Sequence, residues 1–122
     1  MKKLFGVDDR VILITGASRG IGFAMAEALA EYGAHVILNA RDENALREKV
    51  RKLTERNLKA NYQVFDVNDF EAGKNAMQRI AEEFGHLYGL INNAGVQFRS
   101  SILNFSNEDF ELVLRTNLTS CF

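Results

Sequence analysis

Residues 11–22 read VILITGASRGIG, and this stretch decides the fold. Its four aliphatic residues, Val11–Ile14, predict a buried strand, and the glycines that follow predict a tight turn into a helix. Glycines at such a turn let a pyrophosphate approach the backbone N–H groups at the positive end of the helix. The spacing Gly16-x-x-x-Gly20-x-Gly22 is not the G-x-G-x-x-G of the general dinucleotide fingerprint, so a tight structural turn is the alternative interpretation.

The rest of the chain alternates short aliphatic runs with longer stretches of helical spacing. The predicted strands are Val11–Ile14, Val36–Leu38, Tyr62–Phe65 and Leu87–Ile91. The first helix has a predicted apolar face of Ile21, Ala24, Met25, Ala28, Leu29 and Tyr32, and it is followed by Gly33 as a C-terminal cap. Strands that alternate with helices predict an α/β fold with a parallel sheet and crossover helices.

Three further helices have recognisable ends. Asp42 is a predicted N-cap of the second helix, and Gly85 is a predicted C-terminal cap of the third. The fourth begins at Ser106, with Asp109 in capping-box position, and its pattern reaches Phe122 with no stop signal.

The composition is that of one ordinary globular domain: 122 residues, of which 47% are hydrophobic and 25% charged. Fifteen basic and sixteen acidic residues give a net charge of -1, so we expect neither a nucleic-acid nor a membrane partner. Cys121 has no second cysteine to pair with, and His35 and His86 are isolated from other metal ligands, so no metal site is expected. With no segment of membrane-spanning length, we expect a cytoplasmic protein.

Four motifs, in order along the chain, resemble those of the short-chain dehydrogenase/reductase family. Residues 15–22 have the Thr-Gly-x-x-x-Gly-x-Gly pattern of its cofactor loop. Asp66-Val67 follow the third strand, where the family contacts the adenine ring. Asn92-Asn93-Ala94-Gly95 match its Asn-Asn-Ala-Gly motif, and Thr116-Asn117-Leu118 match the segment that carries its helical Asn. Together these motifs cover nearly the whole chain.

The resemblance implies a Rossmann-type, doubly wound parallel sheet. Residues 1–122 would be its N-terminal, NAD(P)-binding portion, with four strands and their crossover helices, truncated before the family's catalytic Tyr/Lys segment. A full-length protein of this family is expected to form a homo-oligomer. The implied cofactor-binding residues are Gly16, Ser18, Arg19, Gly20, Ile21, Gly22, Asn39, Arg41, Asp66, Val67, Asn93, Ala94 and Gly95.

The end of the second strand favours NADP over NAD. An acidic side chain there would accept from the ribose hydroxyls of NAD and repel a 2′-phosphate. Aligned by the resemblance, Ala40 takes the acidic position, Arg41 follows it, and Arg19 stands at the same mouth of the site. Two guanidinium groups can hold a 2′-phosphate through charge-assisted hydrogen bonds, although two ordinary surface arginines are the alternative. Asp42, as a helix cap, is expected to point at backbone N–H groups rather than at the ribose.

The implied chemistry is hydride transfer between a nicotinamide and an alcohol or ketone, for which the family uses a Tyr, a Lys, a Ser and an Asn. Only the Asn has a counterpart here, Asn117, which falls on an otherwise apolar helix stripe. An Asn satisfied within the core, or simply exposed, is the alternative. Four residues after the three tyrosines stand Val36, Asp66 and Asn92 rather than Lys. We therefore expect an oxidoreductase whose 122 residues alone are inactive.

Residues 96–99, Val-Gln-Phe-Arg, resemble a segment of bacterial sugar-acid reductases in the same family. The resemblance suggests that Arg99 pairs with a substrate carboxylate and that Gln97 bonds to hydroxyls, with a sugar acid such as gluconate or keto-gluconate as substrate. An exposed Arg in a variable loop is the alternative.

Two other functions compete with the oxidoreductase: a non-catalytic dinucleotide-binding module and a truncated, inactive remnant. Asn117 favours the oxidoreductase, because a pure binding module has no chemical use for it.

Overall fold

Four parallel strands alternate with four α-helices in the computed structural model, which describes residues 4–122. The strands are β1 (Val11–Ile14), β2 (His35–Ala40), β3 (Ala60–Val64) and β4 (Gly89–Ile91). The helices are α1 (Gly20–Glu31), α2 (Glu43–Thr54), α3 (Phe70–Phe84) and α4 (Asn107–Asn117), and a short 3-10 helix follows at Thr119–Cys121.

The sheet has the strand order β3-β2-β1-β4, and every pair is parallel. From β1 the chain crosses to β2 and then β3 on one side, and afterwards returns to place β4 on the other side of β1. In open α/β sheets, ligands bind outside the carboxyl ends of the strands, where the strand order reverses in this way. The doubly wound α/β fold expected from the sequence is confirmed, and its reversal point lies between β1 and β4.

Helices cover both faces of the sheet, which explains why β1 is a continuous aliphatic run rather than an alternating one. Ile12 and Ile14 pack into a cluster with α1 and α2. Val11 and Leu13 pack on the opposite face against Ile80 of α3. All four residues of β1 are buried, so this strand fixes the centre of the fold.

The predicted helix caps are confirmed. The Asp42 carboxylate accepts from the Ala45 N–H at 3.1 Å, and the Ser106 hydroxyl accepts from the Asp109 N–H at 3.0 Å. Gly33 and Gly85 both have positive φ, at 93° and 80°, as left-handed C-terminal caps require.

The predicted apolar face of α1 is wrong in most of its members: Met25 and Leu29 pack against the core, whereas Ala24 and Ala28 are exposed. The buried side consists of Gly22, Ala26 and Ala30, whereas Ile21 and Tyr32 are each 74% exposed. Apolar residues occur on nearly every side of this helix, so periodicity alone does not select a face. Because small side chains allow a helix to approach the sheet closely, the Gly/Ala side is fully buried, while Phe23, Met25 and Leu29 pack around it, partly buried.

Helix α4 ends at Asn117 rather than continuing to Phe122. The Ser120 hydroxyl donates to the Thr116 carbonyl, and the Cys121 thiol donates to the Asn117 carbonyl at 3.6 Å. The Cys121 N–H bonds instead to the Leu118 carbonyl, three residues back. Side chains therefore take the carbonyls that a continuing α-helix would use. Three predicted strands also shift: β2 is longer than predicted, β3 begins and ends earlier, and β4 begins at Gly89 rather than Leu87.

Within residues 4–122, none of the helices has both the length and the apolar character needed to cross a membrane.

The buried face of α1 predicts different effects for one substitution at two positions. Ala26→Leu should lower the free energy of unfolding by about 1–3 kcal/mol, because Ala26 is fully buried against the sheet and the added atoms overpack it. Ala28→Leu, on the exposed side, should change the same free energy by less than about 0.5 kcal/mol. Urea unfolding measures both variants, and equal losses would contradict the assigned face.

Candidate dinucleotide-binding site

A cleft of about 920 Å³ lies at the carboxyl end of the sheet, where the loops after all four strands meet. All the residues predicted to bind the cofactor line this cleft, although they come from four separate segments of the chain. Phe65, Asn68, Val96, Leu112 and Thr116 line it too and were not predicted.

The first turn of α1 faces this cleft with its backbone donors free. Helices α2, α3 and α4 each have an Asp or Ser side chain that caps the first turn, but α1 begins after Arg19 with no side-chain cap. The N–H groups of Gly20, Ile21 and Gly22 bond to no group within residues 4–122. Unpaired N–H groups at the positive end of a helix form a binding site for an anion.

The three glycines of the loop have different physical roles. Gly20 has φ of +56°, and a Cβ built there would meet no atom within 4 Å, so it borders open space in the cleft. A Cβ on Gly16 would lie 2.9 Å from the Ala94 Cα, and one on Gly22 would lie 2.4 Å from the Gly16 carbonyl oxygen. Gly16 and Gly22 therefore permit close packing of the loop, while Gly20 leaves room for a ligand. This cradle fits a pyrophosphate.

Thr15 and Asn93 join the glycine loop to the loop after β4. The Asn93 amide nitrogen donates to the carbonyls of Thr15 and Gly16 at 3.1 and 3.0 Å. The Thr15 hydroxyl accepts from the N–H groups of Asn93 and Ala94, both at 3.0 Å. Thr15 is buried and was not predicted as a site residue, although it opens the quoted motif. Its role depends on contacts with residues far along the chain, which a local pattern does not reveal.

Asn39, on the other side of β1, also joins the glycine loop to neighbouring segments. Its side chain is 1% exposed, and its amide nitrogen donates to the carbonyls of Phe65 and Gln63 at 3.0 and 3.2 Å. Its backbone carbonyl accepts from the Ala17 N–H at 2.8 Å. Asn39 thus ties together the ends of β2 and β3 and the glycine loop, and its amide N–H groups already have partners.

Arg19 and Arg41 are both exposed at the mouth of the cleft. Neither forms an ion pair within residues 4–122. Asp42, the acidic residue next to them, uses one carboxylate oxygen to cap α2, as the sequence predicted. The positive charge at this end of the cleft is therefore available to a ligand.

Asp66 and Val67 form the wall of the cleft after β3. One Asp66 carboxylate oxygen accepts from the Asn68 N–H at 2.9 Å and closes a turn. The Asn68 amide donates to the Thr116 hydroxyl of α4 at 2.9 Å, and Thr116 is 5% exposed. This bond fixes the wall after β3 to α4.

Asn117 is exposed rather than buried in an apolar stripe, and it does not line the cleft. Its amide forms two bonds with the backbone of Val96: the oxygen accepts from the N–H at 2.8 Å, and the nitrogen donates to the carbonyl at 2.9 Å. A Cβ on Gly95 would lie 3.2 Å from the Asn117 oxygen. The Asn117 side chain therefore holds the loop after β4 against α4.

Gln97 and Arg99 lie beyond Val96 in an exposed segment and do not line the cleft. With the Gln97 amide oxygen turned toward Arg99, it accepts from the guanidinium Nε at 3.0 Å. Within the part of the chain that the structure describes, no three or more His, Cys, Asp or Glu side chains are grouped to hold a metal ion.

The family model for short chain dehydrogenase matches residues 10–122. With the glycine loop, the parallel sheet and the four motifs in place, the chain belongs to the short-chain dehydrogenase family.

Three relatives show which members of the family it is similar to. The chain is 40% identical over 119 residues to gluconate 5-dehydrogenase of Gluconobacter oxydans (strain 621H), covering 98% of this chain and 46% of that one. A gluconate 5-dehydrogenase from Burkholderia cenocepacia J2315, solved in complex with NADP and tartrate, has 34% identity and a TM-score of 0.87, covering 93% and 44%. L-sorbose reductase from Gluconobacter frateurii, solved with NADPH and L-sorbose, has 31% identity and a TM-score of 0.89, covering 95% and 44%. The chain therefore spans about half the length of the relatives it matches.

The contribution of the Thr15 hydroxyl to stability can be measured with valine, which has nearly the same shape but no hydroxyl. Thr15→Val should lower the free energy of unfolding by about 1–3 kcal/mol, because the Ala94 N–H loses its partner in a part-buried site. The control is Thr54→Val at the exposed end of α2, which should change stability by less than about 0.5 kcal/mol. Urea unfolding tests the pair, and a Thr15→Val variant as stable as the control would contradict this account.

Proposed function

We propose that this chain is the cofactor-binding portion of an NADP-dependent oxidoreductase that transfers hydride between a nicotinamide and an alcohol or ketone. The uncapped first turn of α1, at the glycine-lined end of the cleft, carries the proposal. Residues 1–122 form the NAD(P)-binding domain in this proposal, and the family's catalytic Tyr/Lys segment lies outside it.

Each side of the cleft has a part in holding the dinucleotide. The N–H groups of Gly20–Gly22, with Ser18 beside them, bind the pyrophosphate. Asp66 and Val67 border the adenine, and Asn93–Gly95 border the nicotinamide half. When bound, the nicotinamide supplies or accepts the hydride. The chain's own residues orient the cofactor and exclude water from one side of it.

NADP is the preferred cofactor in this proposal because of the charges at the mouth of the cleft. Ala40 offers no carboxylate to the ribose hydroxyls, and Arg19 and Arg41 are exposed without ion-pair partners in residues 4–122. Forked guanidinium groups suit a 2′-phosphate. The NADP and NADPH bound in the two solved relatives support the same preference.

Removal of the Arg41 side chain should weaken the binding of NADPH but not that of NADH. Arg41→Ala should raise the Kd for NADPH by about tenfold or more and leave the Kd for NADH nearly unchanged, because a hydrogen bond to a charged group contributes about 1.5–3 kcal/mol. Titration calorimetry measures both constants. Arg51→Ala, in the last turn of α2, is the matched control and should change neither. Equal constants for NADH and NADPH in the unchanged chain would contradict the NADP preference.

The proposed substrate class is a sugar acid such as gluconate or keto-gluconate. The relatives named as gluconate 5-dehydrogenases support this class, as do the exposed Arg99 and Gln97, which lie beyond the nicotinamide side of the cleft.

Asn117 is the catalytic residue that this chain contributes, and it acts in the proton relay of the family. Its side chain is used to fix the Val96 backbone, so its role in the relay falls to its backbone carbonyl, which accepts only from the Cys121 thiol within residues 4–122.

The sugar-acid proposal predicts a selective effect of Arg99. In the full-length enzyme, Arg99→Ala should raise the KM for a keto-acid by about tenfold, because a charge-assisted bond to the carboxylate is lost. The KM for a neutral ketone of the same length should change little. Steady-state kinetics with the two substrates provide the test, and equal changes in KM would count against the role of Arg99.

The 122 residues alone should bind NADPH without oxidising or reducing a substrate, because none of their three tyrosines has a Lys four residues later. Homo-oligomer formation and a cytoplasmic location stay predictions. Phe110 and Leu118 of the α4 region, 54% and 68% exposed, are available for an interface with a second subunit.

A further inference from the structure

A cluster of three side chains at the start of α2 has no part in the functions described so far. Arg47 donates from Nε to the Tyr62 hydroxyl at 3.1 Å and from Nη2 to a Glu43 carboxylate oxygen at 2.9 Å. The Tyr62 hydroxyl donates to the same Glu43 oxygen at 3.1 Å. The three groups therefore form a closed triangle of hydrogen bonds, anchored to the sheet through β3.

The cluster lies beside the part of the cleft assigned to the 2′-phosphate. Glu43 is the first residue of α2, two residues after Arg41, and Asp42 and Ala45 on either side of it line the cleft. A carboxylate free to turn toward the cleft would repel a 2′-phosphate and would suit the ribose hydroxyls of NAD. The triangle instead holds this carboxylate against Arg47.

In the described part of the chain, the other two ion pairs of α2 lack a third partner, so an ion pair on this helix does not need one. Arg51–Glu55 and Lys52–Glu48 are pairs of the same i,i+4 spacing, and neither has a third side-chain partner within residues 4–122. Exposed pairs of this kind are flexible and contribute little to stability. The Tyr62 hydroxyl bonds to both members of the Glu43–Arg47 pair and so restrains them from a third side. The Tyr62 bond and the Glu43 carboxylate also raise the pKa of Arg47 above its usual value.

We infer that Arg47 and Tyr62 are positioning residues for cofactor specificity: they hold the Glu43 carboxylate away from the cleft and so keep the start of α2 open to the 2′-phosphate of NADP. This inference rests on the proposed function. Glu43 disfavours NADP only when it is released.

The test is the effect of Glu43→Gln on nucleotide binding in two backgrounds. In the unchanged chain, Glu43→Gln should alter the Kd for NADPH by less than about 1.5-fold, because the carboxylate is already held away. In Arg47→Met, the same substitution should tighten NADPH about two- to threefold at 10 mM salt, where a released carboxylate acts on the phosphate almost unscreened. Glu43→Gln should not tighten NADH binding in either background, because NADH has no 2′-phosphate. Titration calorimetry gives all the constants.

Tyr62→Phe keeps every charge and removes only the anchoring hydroxyl, so it separates positioning from simple charge loss. It should weaken NADPH binding about 1.5- to 2-fold at 10 mM salt, without weakening NADH binding, and it should leave NADPH binding unchanged at 0.5 M salt. A purely structural role of Tyr62 would change both nucleotides alike. The matched control is the Arg51–Glu55 pair on the same helix. Glu55→Gln should leave the Kd for NADPH unchanged both in the unchanged chain and in Arg51→Met.

The possible results lead to different conclusions. Equal effects of Glu43→Gln on NADPH in the two backgrounds would overturn the inference and leave the proposed function standing. An equal effect of Tyr62→Phe on NADPH and NADH would do the same. Failure of the unchanged chain to bind either nucleotide would contradict the proposed function itself, and the inference with it.

Discussion

The hydrogen bonds between Thr15 and Asn93 are the contact on which the site depends. They join the loops that leave β1 and β4, the two parallel strands between which the strand order reverses. Without them the glycine loop would have unpaired carbonyls on the side of β4. Gly16 and Gly22 complete this contact, because any side chain on either would collide with the neighbouring loop.

Hydrogen-bonded polar groups and exposed charged groups have different roles in the cleft. Asn39, Asn93 and Thr116 are held by hydrogen bonds to other segments, and they fix the loops from which the cleft is built. Arg19 and Arg41 stand at its mouth, and neither has an ion-pair partner in the described residues 4–122. A site organised before the ligand arrives loses less conformational entropy on binding. In the proposed function, the uncapped first turn of α1 is the part of the cleft that binds the pyrophosphate.

The sequence predicted the strands, the caps and the position of every proposed cofactor residue, because each depends on a local pattern or on a short motif. It did not predict the buried face of α1, where Ala26 and Ala30 face the sheet while Ile21 and Tyr32 are exposed. It also missed the bonds of Asn117 to Val96, the early end of α4 and the Glu43–Arg47–Tyr62 cluster. These features join residues from different elements, and a pattern within one helix does not contain that information.

The central claim is that the free N–H groups at the start of α1 bind the pyrophosphate. Backbone amide NMR of the ¹⁵N-labelled chain, titrated with NADPH, tests it most directly. The account predicts the largest shifts at Gly20, Ile21 and Gly22, with little change at the capped first turns of α3 and α4. Saturable binding that leaves these three amides unshifted would contradict the account.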